Sequence, residues 1–240
     1  MKVDWIRRIP LFATLNDEEF SRLSSIFVER QYRKNQVIFL EEETGNYMYL
    51  VLSGKVKVAK SSPGGRETIL AIHRSGDFFG EMALLDGKTA PATVYAMEDA
   101  RIISVSGEDF HKYLMHDEKV MLQIIHVLCA RLRQEWQRQS RSGDSVDVRI
   151  CAELHDLARR HGVRDACGVI IDLKITHREL AEMVHASRET VSRLLTSLRK
   201  AKIIDITSRR ITVLDEDGLS RIGRITTNND EQAGPCSSVC

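Results

Sequence analysis

Residues 176–200 read THRELAEMVHASRETVSRLLTSLRK, two short helices joined by a tight turn. In the first, Leu180, Ala181 and Val184 recur at helical spacing. Thr176 stands as N-cap with Glu179 three residues on, a capping box. The turn is His185-Ala186, and Ser187 is the next N-cap. Val191, Leu194, Leu195 and Leu198 form the buried stripe of the second helix, with Thr190 and Arg193 off its apolar side. Its opening turn leaves Arg188, Glu189, Ser192 and Arg193 facing outward. Arginine pairs with O6 and N7 of guanine, and glutamate accepts from the amino group of cytosine. A helix that begins this way suits base edges in a major groove. The alternative is a helical hairpin with an ordinary solvated face. The next residues along the chain favour DNA. Ile203 to Ile206 and Ile211 to Leu214 are two β-rich runs around Thr207-Ser208-Arg209-Arg210. A hairpin with a basic tip directly after the second helix is a wing, and Arg209 suits a phosphate contact.

The chain has 240 residues, 42% hydrophobic and 29% charged, enough for one or two domains with a buried core. A formal net charge of +1 does not announce nucleic acid. The basic residues are placed locally instead, at Arg188, Arg193, Arg199, Lys200, Lys202, Arg209 and Arg210. No apolar run is long enough to span a membrane, and MKVDWIRRIP lacks the apolar core of a signal peptide. A cytoplasmic location is expected. The cysteines at 129, 151, 167, 236 and 240 are odd in number and dispersed, against a disulfide framework. Cys236 and Cys240 sit in a polar tail, and no metal site is expected of them. No nucleophile elbow, P-loop or metal-spaced histidine set is present, so no enzyme is expected.

Upstream, residues 4–27 read helical, with a capping box at Asn16 and Glu19. From Val28 to Ser106 short β-rich runs alternate with Gly-rich corners, the pattern of a small antiparallel barrel or roll. Gly107 to Met115 reads as a short helix, and Asp117 to about Ser140 as a long one. In the long helix Met121, Ile125, Leu128 and Leu132 make a coiled-coil seam, while Val120, Ile124 and Val127 make a second apolar face. Two apolar faces need two partners. The chain's own roll and the same helix of a second copy would supply them, in a two-fold homodimer. Burial of both faces within one chain is the alternative. Arg141-Ser142-Gly143-Asp144 breaks the helix and marks a hinge. The fold class is α+β, in four stretches. These are a β-roll over 1–116, a dimerisation helix and hinge over 117–142, a winged helix-turn-helix over 143–222 and a disordered tail over 223–240.

Over residues 5 to about 215 the chain resembles the cAMP receptor protein and FNR family of bacterial transcription regulators. The stretch LKITHRELAEMVHASRETVSRLLTSLRKAKII is similar to the family's winged helix-turn-helix signature. The resemblance implies a jelly-roll, cyclic-nucleotide-binding-like domain, double-stranded DNA as partner, and RNA polymerase as a further one. It implies TGTGA-like half-sites, with Arg188, Glu189 and Arg193 reading bases and Thr176, Arg178, Ser187, Thr190, Ser192 and Arg209 in the surrounding interface. Residues 76–87, GDFFGEMALLDG, resemble the family's phosphate-binding cassette. There Gly80 allows close backbone approach and Glu81 accepts from a ribose hydroxyl, with Met82 and Ala83 beside them. No cofactor follows from the residues themselves, and a cyclic nucleotide is the ligand the cassette implies. The chain departs from the pattern at that ligand's phosphate. Ala90 stands where the family carries Arg, and Pro91 where it carries Ser or Thr, before Ala92. Pro91 also removes an N–H donor. Glu135 and Trp136 occupy the long-helix positions that approach the base. Lys88 is the candidate replacement cation. A haem-binding relative's histidine position falls nearest Met82. The roll therefore reads as a degenerate site, either ligand-free or taking another effector such as cyclic di-GMP.

Overall fold

The computed structural model describes residues 9–225 except 14, 63 and 66. Expectations on residues 4–8 and on the tail from 226, with Cys236 and Cys240, lie outside the described residues. Contacts divide the chain into two compact units, Met1–Arg138 and Gln139–Cys240.

In the first unit a 3-10 turn at Pro10–Phe12 precedes helix α1, Asp17–Ser24, so the helix is shorter than the 4–27 expectation. The capping box sets its start. Asn16 Oδ1 accepts from Glu19 N, and a Glu19 carboxylate oxygen accepts from Asn16 N, each at 2.8 Å. Asn16 itself is extended, which ends any helix before it.

The strands are β1 Val28–Tyr32, β2 Val37–Phe39, β3 Tyr47–Ser53, β4 Lys55–Ser61, β5 Glu67–Arg74, β6 Phe78–Phe79, β7 Thr93–Ala96 and β8 Ala100–Ser106. They form two antiparallel sheets, ordered β1-β8-β3-β6 and β2-β7-β4-β5. Alternation along β3 sorts its side chains into two cores. Met48 and Leu50 pack with Phe12, Phe20, Phe110 and Leu114 on the helical side. Tyr49 and Val51 pack with Val56, Phe79, Val94 and Ile102 inside the roll. Helix α2, Glu81–Asp86, follows β6 directly.

Helix α3 runs Glu118–Ser140. Val120 and Ile124 are fully buried, and Met121, Val127 and Leu128 pack partly against the same core. The outward stripe is Leu122, Ile125, Cys129, Leu132 and Trp136, with Ile125 47% and Trp136 60% exposed. Of the expected seam, Ile125 and Leu132 face outward, whereas Met121 and Leu128 are half-buried and also touch the chain's own core. Neighbouring helical residues differ by about 100° in direction, so two adjacent apolar stripes overlap in sequence. The roll decides which of them it covers.

The second unit contains α4 Val146–His161, β9 Gly162–Arg164, β10 Val169–Ile171, α5 His177–Met183, α6 Arg188–Lys200, β11 Ile204–Thr207, β12 Arg210–Val213 and α7 Glu216–Ile222. Ser145 caps α4. The strands form one sheet, β11-β12-β10-β9, so the wing hairpin is anchored to β10 through β12. Arg149 ties the turn before α4 to the end of α5. Its Nη1 donates to the Asp144 carbonyl at 2.6 Å and its Nε to the Val184 carbonyl at 3.2 Å.

Asp156 on α4 is buried, which by itself pushes its carboxyl up. His155 and the guanidinium groups of Arg160, Arg141 and Arg159 outweigh burial and hold it below its ordinary 3.8. A carboxyl depressed in the folded state contributes stability above its unfolded value and loses it as pH falls through the folded one. Asp156→Asn is expected to lower the melting temperature at neutral pH and to flatten its fall in acid. Thermal melts of both proteins across an acid pH series check this.

Candidate nucleic-acid interface and ligand site

The helix-turn-helix is built from two caps and one left-handed residue. Thr176 Oγ1 accepts from Glu179 N at 3.1 Å, and Glu179 accepts from Thr176 N at 2.8 Å. Helix α5 buries Leu180, Ala181, Met183 and Val184. Glu182, on the same helix, is buried and accepts from Arg178 Nε at 2.8 Å. His185 takes φ 52°, and Ala186 N donates to the Ala181 carbonyl at 3.0 Å, closing the turn. Ser187 Oγ then accepts from Thr190 N at 3.1 Å to start α6.

Helix α6 buries Val191, Leu195 and Leu198, with Leu194 half-buried. Arg188, Glu189 and Arg193 are exposed and make no ion pair with any described residue. Ser192 differs from its expectation as an outward residue. It is half-buried, with Oγ 2.7 Å from His177 Nδ1, and so ties α6 to the start of α5. His177 carries no signal in its own sequence neighbourhood, because its partner lies fifteen residues away.

The wing turn is Ser208-Arg209, both left-handed at φ 52° and 65°, closed by the Thr207–Arg210 pair. This is the two-residue hairpin turn whose twist matches that of the strands. The basic residues separate by role. Arg210 pairs with Asp172 at 3.2 Å, and Arg199 with Asp205 at 3.0 Å, so both are held within the unit. Arg209, Lys200 and Lys202 are exposed. Arg209→Ala is expected to weaken all duplexes alike and to lower the salt slope of log affinity by about one. Titrations at several salt concentrations measure this.

In the roll, Gly80 sits at φ 83°, where an added Cβ would lie 2.7 Å from the Tyr47 carbonyl oxygen. Only glycine fits there. Glu81 is 1% exposed. Its Oε1 accepts from Arg131 Nη1 at 2.8 Å, and its Oε2 has no hydrogen-bond partner among the described residues. Burial pushes the Glu81 carboxyl up, while Arg131 opposes that shift. Arg131 Nη2 donates to the Phe78 carbonyl, and its guanidinium lies 4.9 Å from the centre of the Phe78 ring. Sequence reasoning missed Arg131. The available signal was its place one turn before Glu135 on the same helix.

Met82 is half exposed, Ala83, Ala90 and Ala92 are buried, and Pro91 is exposed. Lys88 stands at the end of the cassette and faces solvent. Its side chain is 80% exposed with Nζ 4.0 Å from Asp86. Left-handed Gly87 turns the chain outward there, and Lys88 N donates to Asp86 Oδ1 at 3.0 Å. Glu135 pairs with Arg138 at 3.2 Å, and Arg138 also donates to the Leu70 carbonyl at 2.7 Å. Trp136 lies on the outward stripe of α3.

A winged helix-turn-helix whose second helix opens with exposed charged residues, on a chain with a Gly-Glu cassette in a β-roll, has the form of a DNA-binding regulator. A cyclic nucleotide-binding domain model matches residues 29–117, and a Crp-like helix-turn-helix domain model matches residues 148–222. The cyclic AMP receptor protein of Thermus thermophilus is 33% identical over 196 residues, covering 81% of this chain and 88% of that protein. The CRP-like cAMP-activated global transcriptional regulator of Mycobacterium tuberculosis is 26% identical, covering 91% and 98%. A CooA mutant from Carboxydothermus hydrogenoformans superposes with TM-score 0.75 at 25% identity, covering 91% of this chain and 99% of that one. The chain belongs to the CRP/FNR family and is a DNA-binding transcription regulator with a cyclic nucleotide-binding domain. No helix among the described residues is long and apolar enough to cross a membrane.

Proposed function

We propose that the chain acts as a cytoplasmic homodimer that reads a palindromic TGTGA-like site, with a roll that does not take cAMP in the family's usual way. The observation that carries this is the exposed, unpaired trio Arg188, Glu189 and Arg193 on the opening turns of α6. Arg188 and Glu189 supply a guanine donor and a cytosine acceptor. Ser187, Thr190, Thr176 and Arg178 position the helix, and Arg209 meets phosphate. Each subunit places α6 in one major groove, with half-sites about 34 Å apart. RNA polymerase is the expected protein partner, on family grounds.

The outward stripe of α3 supports the dimer, because its apolar residues recur at alternating steps of three and four, as a coiled-coil seam does. Leu132→Glu is expected to yield monomers in sedimentation velocity. It should weaken operator binding on the order of 10²-fold, since the second half-site is no longer tethered to the first.

A second reading keeps the roll as a sensor of cAMP, cyclic di-GMP or another small effector that controls DNA binding. Gly80 and Glu81, both retained, favour it. Fluorescence anisotropy with a TGTGA-N6-TCACA duplex at fixed salt, with and without cAMP, separates the two. Tight, selective binding unchanged by cAMP is expected. Binding only in the presence of cAMP would establish the second reading. Equal binding to a scrambled duplex would remove the palindrome.

A further inference from the structure

We propose that His177 is a positioning residue for DNA recognition. Its proton decides, through Ser192, whether the second helix of the motif offers DNA a hydroxyl donor, so that operator binding strengthens as pH falls. This rests on the proposed docking of α6 in a major groove.

His177 opens α5 directly after the Thr176 cap, and Ser192 lies one turn into α6. The capping box fixes where α5 begins, and so where the imidazole stands. Both residues are half-buried, with His177 Nδ1 2.7 Å from Ser192 Oγ. Ser192 follows Arg188 by four residues and Glu189 by three, so the three share one side of α6. In a helix-turn-helix the second helix enters the groove while the first crosses the backbone. In that docking the His177–Ser192 contact lies where both helices meet the duplex.

A neutral imidazole with its hydrogen on Nε2 accepts at Nδ1, and there it takes the Ser192 hydroxyl hydrogen. An imidazolium donates from both nitrogens, so Nδ1–H points at Ser192 Oγ instead. The added proton comes from solvent, and the hydroxyl hydrogen is released to turn outward. Ser192 then donates to a phosphate oxygen or a base acceptor while keeping its tie to α5. With the neutral ring the same hydrogen serves either the tie or the DNA.

An imidazole ordinarily titrates between about pH 5 and 8, and no other side-chain type on the two helices does. The charges beside it are these. On α5, Arg178 pairs with Glu182 at 2.8 Å, and Glu179 accepts from the Thr176 cap. On α6 stand Arg188, Glu189 and Arg193, all exposed. Exposed Lys174 precedes the cap, and Arg149 of α4 reaches the far end of α5 at the Val184 carbonyl. A proton held more tightly in the complex than in the free protein adds affinity. That gain is complete below the free protein's value and is lost as pH rises through the complex's value.

The test is anisotropy of the full chain with the TGTGA-N6-TCACA duplex at fixed ionic strength. From about pH 8 to about pH 5.5 the affinity is expected to rise roughly tenfold to hundredfold. His177→Asn keeps a donor and an acceptor beside Ser192 but cannot titrate, and it is expected to lose most of the rise. Ser192→Ala leaves the imidazole in place and should lose it too, and the two changes together should remove no more than either alone. A merely structural tie would lower affinity alike at every pH. A rise of undiminished size in either variant overturns the proposal. In Ser192→Ala it would mean that the imidazolium acts by its charge alone. His185, exposed on the turn with φ 52°, is the other histidine of the motif. Asparagine suits that left-handed backbone, so His185→Asn is expected to keep the rise. Loss of the rise there assigns the titration to His185 and overturns the proposal as well. An unaltered chain that binds its duplex equally at every pH loses this proposal alone. A chain that fails to bind at any pH loses the docking, and this proposal with it.

Discussion

Replacing Arg131 with leucine is expected to destabilise the roll by about 2–3 kcal/mol. That is at or below the lower limit of the roughly 3–5 kcal/mol for breaking a fully buried ion pair, because Arg131 is 31% exposed and partly screened. The partner left behind sets the cost. Glu81 is 1% exposed, and Arg131 is the one group whose side chain meets its carboxylate among the described residues. The Phe78 carbonyl loses its donor in the same step.

The deficit should depend on pH with a definite sign. Burial already pushes the Glu81 carboxyl above its ordinary 4.5, and without Arg131 nothing of comparable charge opposes it. A group whose folded value is raised contributes stability that is complete below the unfolded value and lost as pH rises through the folded one. The Arg131→Leu variant should therefore approach the unaltered protein in acid and fall furthest behind near neutrality. Urea denaturation at a series of pH values measures this. The double variant Glu81→Gln with Arg131→Leu should recover most of the loss. A deficit that stays constant across pH would mean that Arg131 acts through packing on Phe78 alone.

The second large effect concerns DNA. Arg188→Ala combined with Arg193→Ala is expected to weaken binding to the specific duplex roughly 10²- to 10⁴-fold, from about 1–3 kcal/mol at each position. The two side chains are five residues apart on α6 and point in different directions, so in the proposed docking they meet different base pairs and their effects should nearly add. Residual binding should persist and lose its preference for the palindrome, because Arg209, Lys200 and Lys202 stay exposed for the proposed phosphate contacts. Arg199→Ala and Arg210→Ala make the contrast. Both residues are engaged with aspartates of the same unit, so their loss should alter stability more than selectivity. Anisotropy with specific and scrambled duplexes, beside thermal melts, tests all of these. Unchanged selectivity in the double variant would move the base contacts to another part of the chain.

Much of this protein was legible locally. The capping boxes at Asn16 and Thr176, the cap at Ser187 and the stripe Val191, Leu195 and Leu198 each involve residues within one or two turns of one another. Short-range hydrogen bonding and helical periodicity therefore settle them. The wing was legible for the same reason, since two β-rich runs flank a short basic turn. The strand VERQY at Val28–Tyr32 was not, because it lacks apolar alternation. Nor was Phe78–Phe79, which is too short to carry a period.

Other features came from tertiary structure alone. Glu81 and Arg131 are fifty residues apart, and His177 and Ser192 fifteen, so no local pattern announces either pair. The choice of outward stripe on α3 also lies beyond sequence. Met121 and Leu128 are as apolar as Leu122 and Ile125, and only the shape of the roll's core decides which pair it partly covers. Caps and periods are properties of the chain with itself over a few residues. Which face is covered, and which charge is left without a partner, are set by what the fold brings against it.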